Sequence, residues 1–254
     1  MKQDVVSALK GYIYSLQKLG NDAGPAISYT QPFVTISRQA GAGGITIGRK
    51  LRDRLQEVDK EATSDWHWLD RELVDEVIKE HKLQEQLALV RDETQYGSLM
   101  RWFDDSFGNL PAWSTVVRKT GETIVHLANM GNVILVGRGS HILTRKHPGG
   151  LHVRLVGSEG RRIAHLMDYY NLGREDAERM MVREDRGRAR YIKDHYQADI
   201  DDASRYDLVI NTDELSYDDV ALLTADEVLR IRCRLRGAAN AEERDHTNSA
   251  LLSQ

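Results

Sequence analysis

Apolar residues recur along this chain with two different periods. Val5, Leu9, Ile13 and Leu16 lie four, four and three residues apart, which places them on one face of a helix. The stretch from Asn21 to Gln31 is interrupted by Gly and Pro and reads as a linker. Phe33-Val34-Thr35-Ile36-Ser37 predicts a short strand. A glycine turn, Gly41-Ala42-Gly43-Gly44, follows it, and Ile47, Leu51 and Leu55 then mark a second helical face. Trp66 to Leu69 predicts another strand, ended by Asp70. Leu73, Val74, Val77 and Ile78 mark a further helix, and a helical pattern runs through 80–130 with breaks near Gly97 and from Gly108 to Pro111. Asn132 closes a turn. Val133–Val136, Leu151–Val156 and Leu208–Ile210 predict buried strands. Ile163, Leu166, Met167 and Tyr170 mark a helix between the last two, and 218–232 is a terminal helix.

Strands that alternate with helices predict an α/β fold, a parallel sheet flanked by helices on both faces. The chain divides into an N-terminal helical arm and linker over 1–30, one α/β domain over 31–236, and a polar tail over 237–254. The arm either pairs two copies as a homodimer or caps its own domain.

Composition narrows the function classes. The 254 residues are 41% apolar and 29% charged, ordinary for a globular domain. A single cysteine, Cys233, excludes an internal disulfide and a cysteine-based zinc site. The chain has no apolar run of bilayer length, and its first 20 residues are charged throughout, so the expectation is a soluble cytoplasmic protein with no membrane partner. The formal charge of -4 argues against bulk nucleic-acid binding.

The glycine turn is the first candidate for chemistry. A strand entering a glycine-rich turn and then a helix can hold phosphate, because glycines let the backbone fold round the anion and free amides at the helix start point at it. The stretch runs from Ser37 to Thr46. It carries Gly44 where the usual phosphate loop has Lys, and the same residues also suit a plain tight turn.

The second candidate is RMMVREDRGRAR at 179–190. On a helix, Arg179, Arg183, Arg186 and Arg190 form one stripe, with Glu184 and Asp185 off that face and within reach of Arg188. Like charges at this spacing cost about 0.2–0.5 kcal/mol per pair, so the stripe is worth having where an anion meets it. A solvated helix laced with salt bridges is the other interpretation.

These two stretches resemble a known family. The loop resembles that of cytidylate kinases, whose Gly-Pro-x-Gly-x-Gly-Lys-Gly-Thr falls on Arg38 to Thr46 and shares Gly41, Gly43 and Thr46. It is more similar to the cytidylate kinase-like family, whose Ile-Ser-Arg-x-x-Gly-x-Gly-Gly matches Ile36 to Gly44. Arg183 to Arg190 resembles the lid of cytidylate kinases and keeps its four arginines in register.

The resemblance implies a P-loop NTPase-like fold with an arginine-rich lid over about 179–200. ATP would be bound by Arg38, Gly41, Ala42, Gly43, Gly44, Ile45 and Thr46, and Mg²⁺ would arrive with it. Of the four lid arginines that would serve catalysis, Arg183 and Arg190 would grip an acceptor phosphate and Arg186 and Arg188 would face the donor. Val136-Gly137-Arg138-Gly139 resembles the family's Gly-Arg-Asp, which makes Arg138 an acceptor contact. Asp70 and Arg71 fall in a Leu-Asp segment that opens the acceptor region, and Asp70 equally suits a helix cap. Ile210 to Ser216 resembles the family's segment after the last strand.

The implied reaction moves the γ-phosphate of ATP to a small-molecule acceptor. A nucleotide- or phosphate-sensing module that has lost its Lys is the rival. A cation about 4 Å from a phosphate oxygen is worth up to ~4 kcal/mol at an effective dielectric near 20, or roughly 10³ in rate. Arg38 or a distant arginine is the candidate replacement. Two acidic positions of cytidylate kinases are Gly139 and Gly187 here, so CMP is not the expected acceptor. The nine histidines show no metal-ligand spacing, so no metal site of the protein's own is expected. The four tryptophans suit core packing better than base stacking, and Cys233 is assigned no role.

Overall fold

A computed structural model describes residues 31–70 and 115–252. Five strands form one sheet: β1 Phe33–Arg38, β2 His67–Leu69, β3 Val133–Val136, β4 Gly150–Val156 and β5 Leu208–Asn211. The helices are α1 Gly44–Val58, α2 Thr115–Met130, α3 Ser140–Leu143, α4 Glu159–Tyr170, α5 Arg174–Tyr196 and α6 Tyr217–Leu252. The strand order is β2-β3-β1-β4-β5, and every neighbouring pair is parallel. All five carboxyl ends therefore lie on one edge, with β1 in the centre.

Alternation along the strands sorts the two faces. Val34 and Ile36 of β1, Leu151, Val153 and Leu155 of β4, and Ile134 and Val136 of β3 pack against α1 (Ile47, Leu51, Leu55) and α6 (Val220, Ala225, Val228). On the other face Phe33, Val133 and Leu135 meet Ile124 and Leu127 of α2, Leu143 of α3, and Ile192 and Tyr196 of α5. That second face is polar towards its centre. Thr35 Oγ1 and His152 Nδ1 lie 2.8 Å apart, and Arg154 Nη1 donates to Ser37 Oγ at 2.9 Å. Parallel register sets Thr35 beside His152 and Ser37 beside Arg154, so these buried groups meet as cross-strand neighbours.

A third apolar cluster fixes the lid. Ile163 and Leu166 of α4 and Ala177 and Met181 of α5 pack together and onto Ala40, inside the glycine turn. The helix face expected at Ile163, Leu166 and Met167 thus carries the α4–α5 hairpin onto the loop.

The described strands fall where the hydrophobic pattern places them, within one residue at each end. The terminal helix departs from it: α6 runs past 232 to Leu252, through the stretch expected as a polar tail. The segment beyond 236 carries four alanines and no proline, so no proline stops a helix there. Trp66 is buried and Trp68 packs against both sheet-face clusters, as core residues. The arm, Arg71 and the helical segment expected at 73–78 lie outside the described residues.

Candidate active site

The glycine turn leaves the carboxyl end of β1 and ends in α1. Gly41 and Gly43 have φ of +79° and +76°, a region closed to most side chains. A Cβ on Gly41 would lie 2.3 Å from the Arg162 carbonyl oxygen, and one on Gly43 would lie 2.6 Å from the Tyr217 ring. Gly43 is the N-cap of α1 and supplies no side-chain cap. The first-turn amides of Gly44, Ile45 and Thr46 have no intrahelical acceptor, so they are available to an anion.

The loop already holds one anionic oxygen. Asp185 Oδ1 accepts the Ala40 amide at 2.6 Å. Asp185 Oδ2 accepts from Arg162 Nη1 at 2.5 Å, and the same nitrogen donates to the Ala40 carbonyl at 3.2 Å. Arg188 joins from the lid, with Nη1 3.3 Å from Asp185 Oδ1 and Nη2 3.4 Å from Glu184 Oε2. The sequence pattern anticipates the Arg188 pairs. It gives no sign of Arg162, which sits one place before the apolar face of α4. A loop amide that takes a carboxylate, ringed by two arginines, suits a polyphosphate.

Arg38 closes β1 on the α1 side. Its stem lies over Gly44, and its guanidinium lies at Gly137, just beyond β3. Partial burial raises the pKa of Tyr170, as do Tyr169 and Glu184, while Arg188 and Arg38 oppose the shift. Arg38 and the lid's Arg188 thus act on one phenol.

At the end of β3, Gly137, Arg138 and Gly139 all have positive φ, +89°, +55° and +73°. Arg138 is one of four non-glycine residues at positive φ among the described residues, a geometry that the surrounding packing has to hold. The Arg138 guanidinium carbon lies 5.6 Å from the Tyr191 ring centre, and its carbonyl accepts from Tyr196 Oη at 3.0 Å. A Cβ on Gly139 would be 2.3 Å from the Tyr196 ring, so the acid that cytidylate kinases carry there has no room. Gly187 differs, because a Cβ there meets nothing within 4 Å. Asp70 follows β2 on the same edge of the sheet.

The lid arginines divide. Arg179, Arg183, Arg186 and Arg190 share one face of α5, as their spacing predicts, and line an open groove of about 850 Å³ with Glu175, Glu178, Val182 and Gly187. Arg179 is paired with Glu175 and Asp176. Arg183 lies 4.0 Å from Glu184, and both groups keep access to solvent. Only Arg188 of the run turns to the loop carboxylate. The glycine turn and the groove thus meet different faces of one helix. Among the described residues, no cluster of histidine, cysteine or acidic side chains could hold a metal ion, and no helix is long and apolar enough to cross a membrane.

A parallel sheet in the order 2-3-1-4-5, with a phosphate-type turn leaving its central strand, defines a P-loop kinase fold. The chain belongs to the cytidylate kinase-like family, whose model matches residues 33–214. Among solved structures it is similar to the crystal structure of an uncharacterized protein from Eubacterium ventriosum. That match has a TM-score of 0.59 and 18% identity, and covers 78% of this chain and 98% of that one. Shikimate kinases from Bacteroides thetaiotaomicron and Acinetobacter baumannii align at a TM-score of 0.41 each, with 13% and 17% identity. They cover 78% and 80% of this chain and 98% and 95% of their own, a likeness too slight to bear on function. No curated protein matches the sequence.

Proposed function

We propose that this protein is an ATP-dependent phosphotransferase that moves a γ-phosphate to a small anionic acceptor, nucleoside monophosphates being the first class to test. The observation that carries this reading is the uncapped start of α1 behind left-handed Gly41 and Gly43, at the carboxyl end of the central strand. Open α/β sheets bind ligands at that edge. Mg²⁺ bound with ATP would neutralise charge on the β- and γ-phosphates.

The chain's own part is to hold and orient. Amides of residues 41–46 would cradle the donor, with Thr46 in the first turn of α1. Arg138 would take the acceptor's anionic group, with Asp70 as a nearby contact. Arg183 and Arg190 would close on the acceptor from the lid and Arg188 on the donor, while Arg186, expected on the donor, shares the groove face with Arg183 and Arg190 and would act with them. Guanidinium forks suit this work because they stay charged and meet phosphate oxygens in pairs. A cytoplasmic location, with its supply of ATP, would suit such a reaction.

Gly44 in place of Lys supports a second reading, a nucleotide- or phosphate-sensing module. ATP turnover with a panel of small anionic acceptors separates the two. Acceptor-dependent ADP release is the expected result. Nucleotide binding with no acceptor ever phosphorylated would leave the sensor.

A further inference from the structure

Gly44 calls for an explanation that its backbone does not supply. It is the first residue of α1 and is absent from the positive-φ positions. A helical glycine costs about 0.5–1 kcal/mol relative to alanine, so an ordinary side chain would serve the backbone better. What excludes one is Arg38. A Cβ on Gly44 would lie 2.8 Å from Arg38 Cγ and 3.3 Å from its Cβ and Cδ. The Arg38 stem therefore fills the space in which a side chain at 44 would begin. At its other end, Arg38 Nη1 would lie 2.4 Å from a Cβ on Gly137. The side chain thus reaches from the first residue of α1, at its stem, to the first residue past β3, at its guanidinium.

Ordinary phosphate loops put Gly at the first position and Lys at the seventh. This loop reverses them, with Arg38 first and Gly44 seventh. We propose that Arg38 is the phosphate-binding cation of the loop, doing from the end of β1 what Lys does from the start of the helix, and that the two positions are mutually exclusive. The inference rests on the phosphate-loop reading above. Gly44 seats the stem of Arg38 and Gly137 its guanidinium, so little rotamer freedom is lost when it meets phosphate. Its place between the donor loop and the β3 end puts the charge on the path a transferring phosphoryl group would take. The same position accounts for the effect it shares with Arg188 on the Tyr170 phenol.

Titration calorimetry of the full chain with inorganic tripolyphosphate at fixed ionic strength tests this. Arg38→Gln keeps the stem and removes the charge, and should weaken binding at least about tenfold, the loss of one charged contact. Gly44→Lys alone should gain nothing, because Arg38 holds the space. The double variant Arg38→Gly with Gly44→Lys should return to within about threefold of wild type if the two cations are alternatives. Wild-type affinity in Arg38→Gln overturns the inference, as does a Gly44→Lys gain that adds to Arg38. If Gly44→Lys does not fold, Arg38→Gln decides alone. Gly43→Val separates the two levels. Wild-type chain that binds no tripolyphosphate, or binding that survives Gly43→Val in a folded chain, overturns the loop reading and this inference with it. Binding lost in Gly43→Val but intact in Arg38→Gln overturns this inference only.

Discussion

Asp185 of the lid helix places a carboxylate oxygen 2.6 Å from the amide of Ala40 in the glycine turn. The residues are 145 positions apart in the chain. Arg162 completes the arrangement by bonding both the Asp185 carboxylate and the Ala40 carbonyl. A negative group belonging to the protein thus sits at the start of the turn, next to the amides of 41–46 proposed to hold phosphate. Asp185→Asn should therefore strengthen tripolyphosphate binding about threefold or more by removing a neighbouring anion. Weaker binding would mean that the carboxylate serves to hold Arg162 and Arg188 for the phosphate.

Gly43→Val should abolish ATP binding in a chain that still folds. The residue has φ of +76°, and its missing Cβ would lie 2.6 Å from the Tyr217 ring. Equilibrium dialysis with an ATP analogue, alongside circular dichroism for the fold, checks this. Normal affinity in a folded variant contradicts the loop assignment.

Within the arginine stripe, Arg183→Ala should lower kcat/KM for a true acceptor by at least about 10², the effect of one charged contact made in the transition state. Arg179→Ala should do far less, because Glu175 and Asp176 already engage that guanidinium. Equal losses would show that the groove acts through bulk charge. CMP should be a poor acceptor, and efficient phosphorylation of CMP would show that the acids missing at 139 and 187 are replaced elsewhere.

Stability should depend on pH through the histidines of the sheet's polar face. His141 stacks on Tyr206, and burial, followed by the charges of His152, Arg154, Arg205 and Arg145, lowers its pKa from 6.5 to about 3. Burial also takes His147 and His152 to about 4, against the pull of Asp207 on His152. These rings stay neutral in the fold and take a proton once unfolded, so unfolding binds protons and stability rises with pH between about 4 and 6.5. Each contributes a slope of up to ~1.4 kcal/mol per pH unit. Tm should fall as pH drops below 6.5, and His141→Phe, which preserves the stack, should flatten the fall. A Tm independent of pH over this range rules the account out.

At the opposite edge of the sheet, Arg232 of α6 donates to Asp59 at 2.5 Å and to Asn132 at 2.8 Å, and Trp66 donates to the same Asp59 oxygen at 2.8 Å. Both charged side chains are buried. Arg232→Met should cost about 3–5 kcal/mol in denaturant unfolding by stranding the carboxylate. Adding Asp59→Asn should recover much of the loss, since the amide oxygen can still accept from Trp66. No recovery would place the cost in packing.

The sequence by itself determined the periodic parts of this protein. Alternation in Phe33–Ser37 and the four-residue recurrence of Ile47, Leu51 and Leu55 specify strand, turn and helix, because pleat and helix repeat over a few residues. The same local rule put Arg179, Arg183, Arg186 and Arg190 on one face of α5 and set Glu184 and Asp185 beside Arg188. It could not say which face meets the loop. That was decided when Ile163, Leu166, Ala177 and Met181 buried themselves against Ala40, which turned Asp185 inward and left the stripe open to solvent. Only tertiary packing set Tyr196 against Gly139, the Arg162 backbone against Gly41, and the Arg38 stem across Gly44. A glycine leaves no periodic signal for what lies beside it; the neighbour that needs the missing Cβ arrives from another strand or helix and becomes known only once the layers have packed.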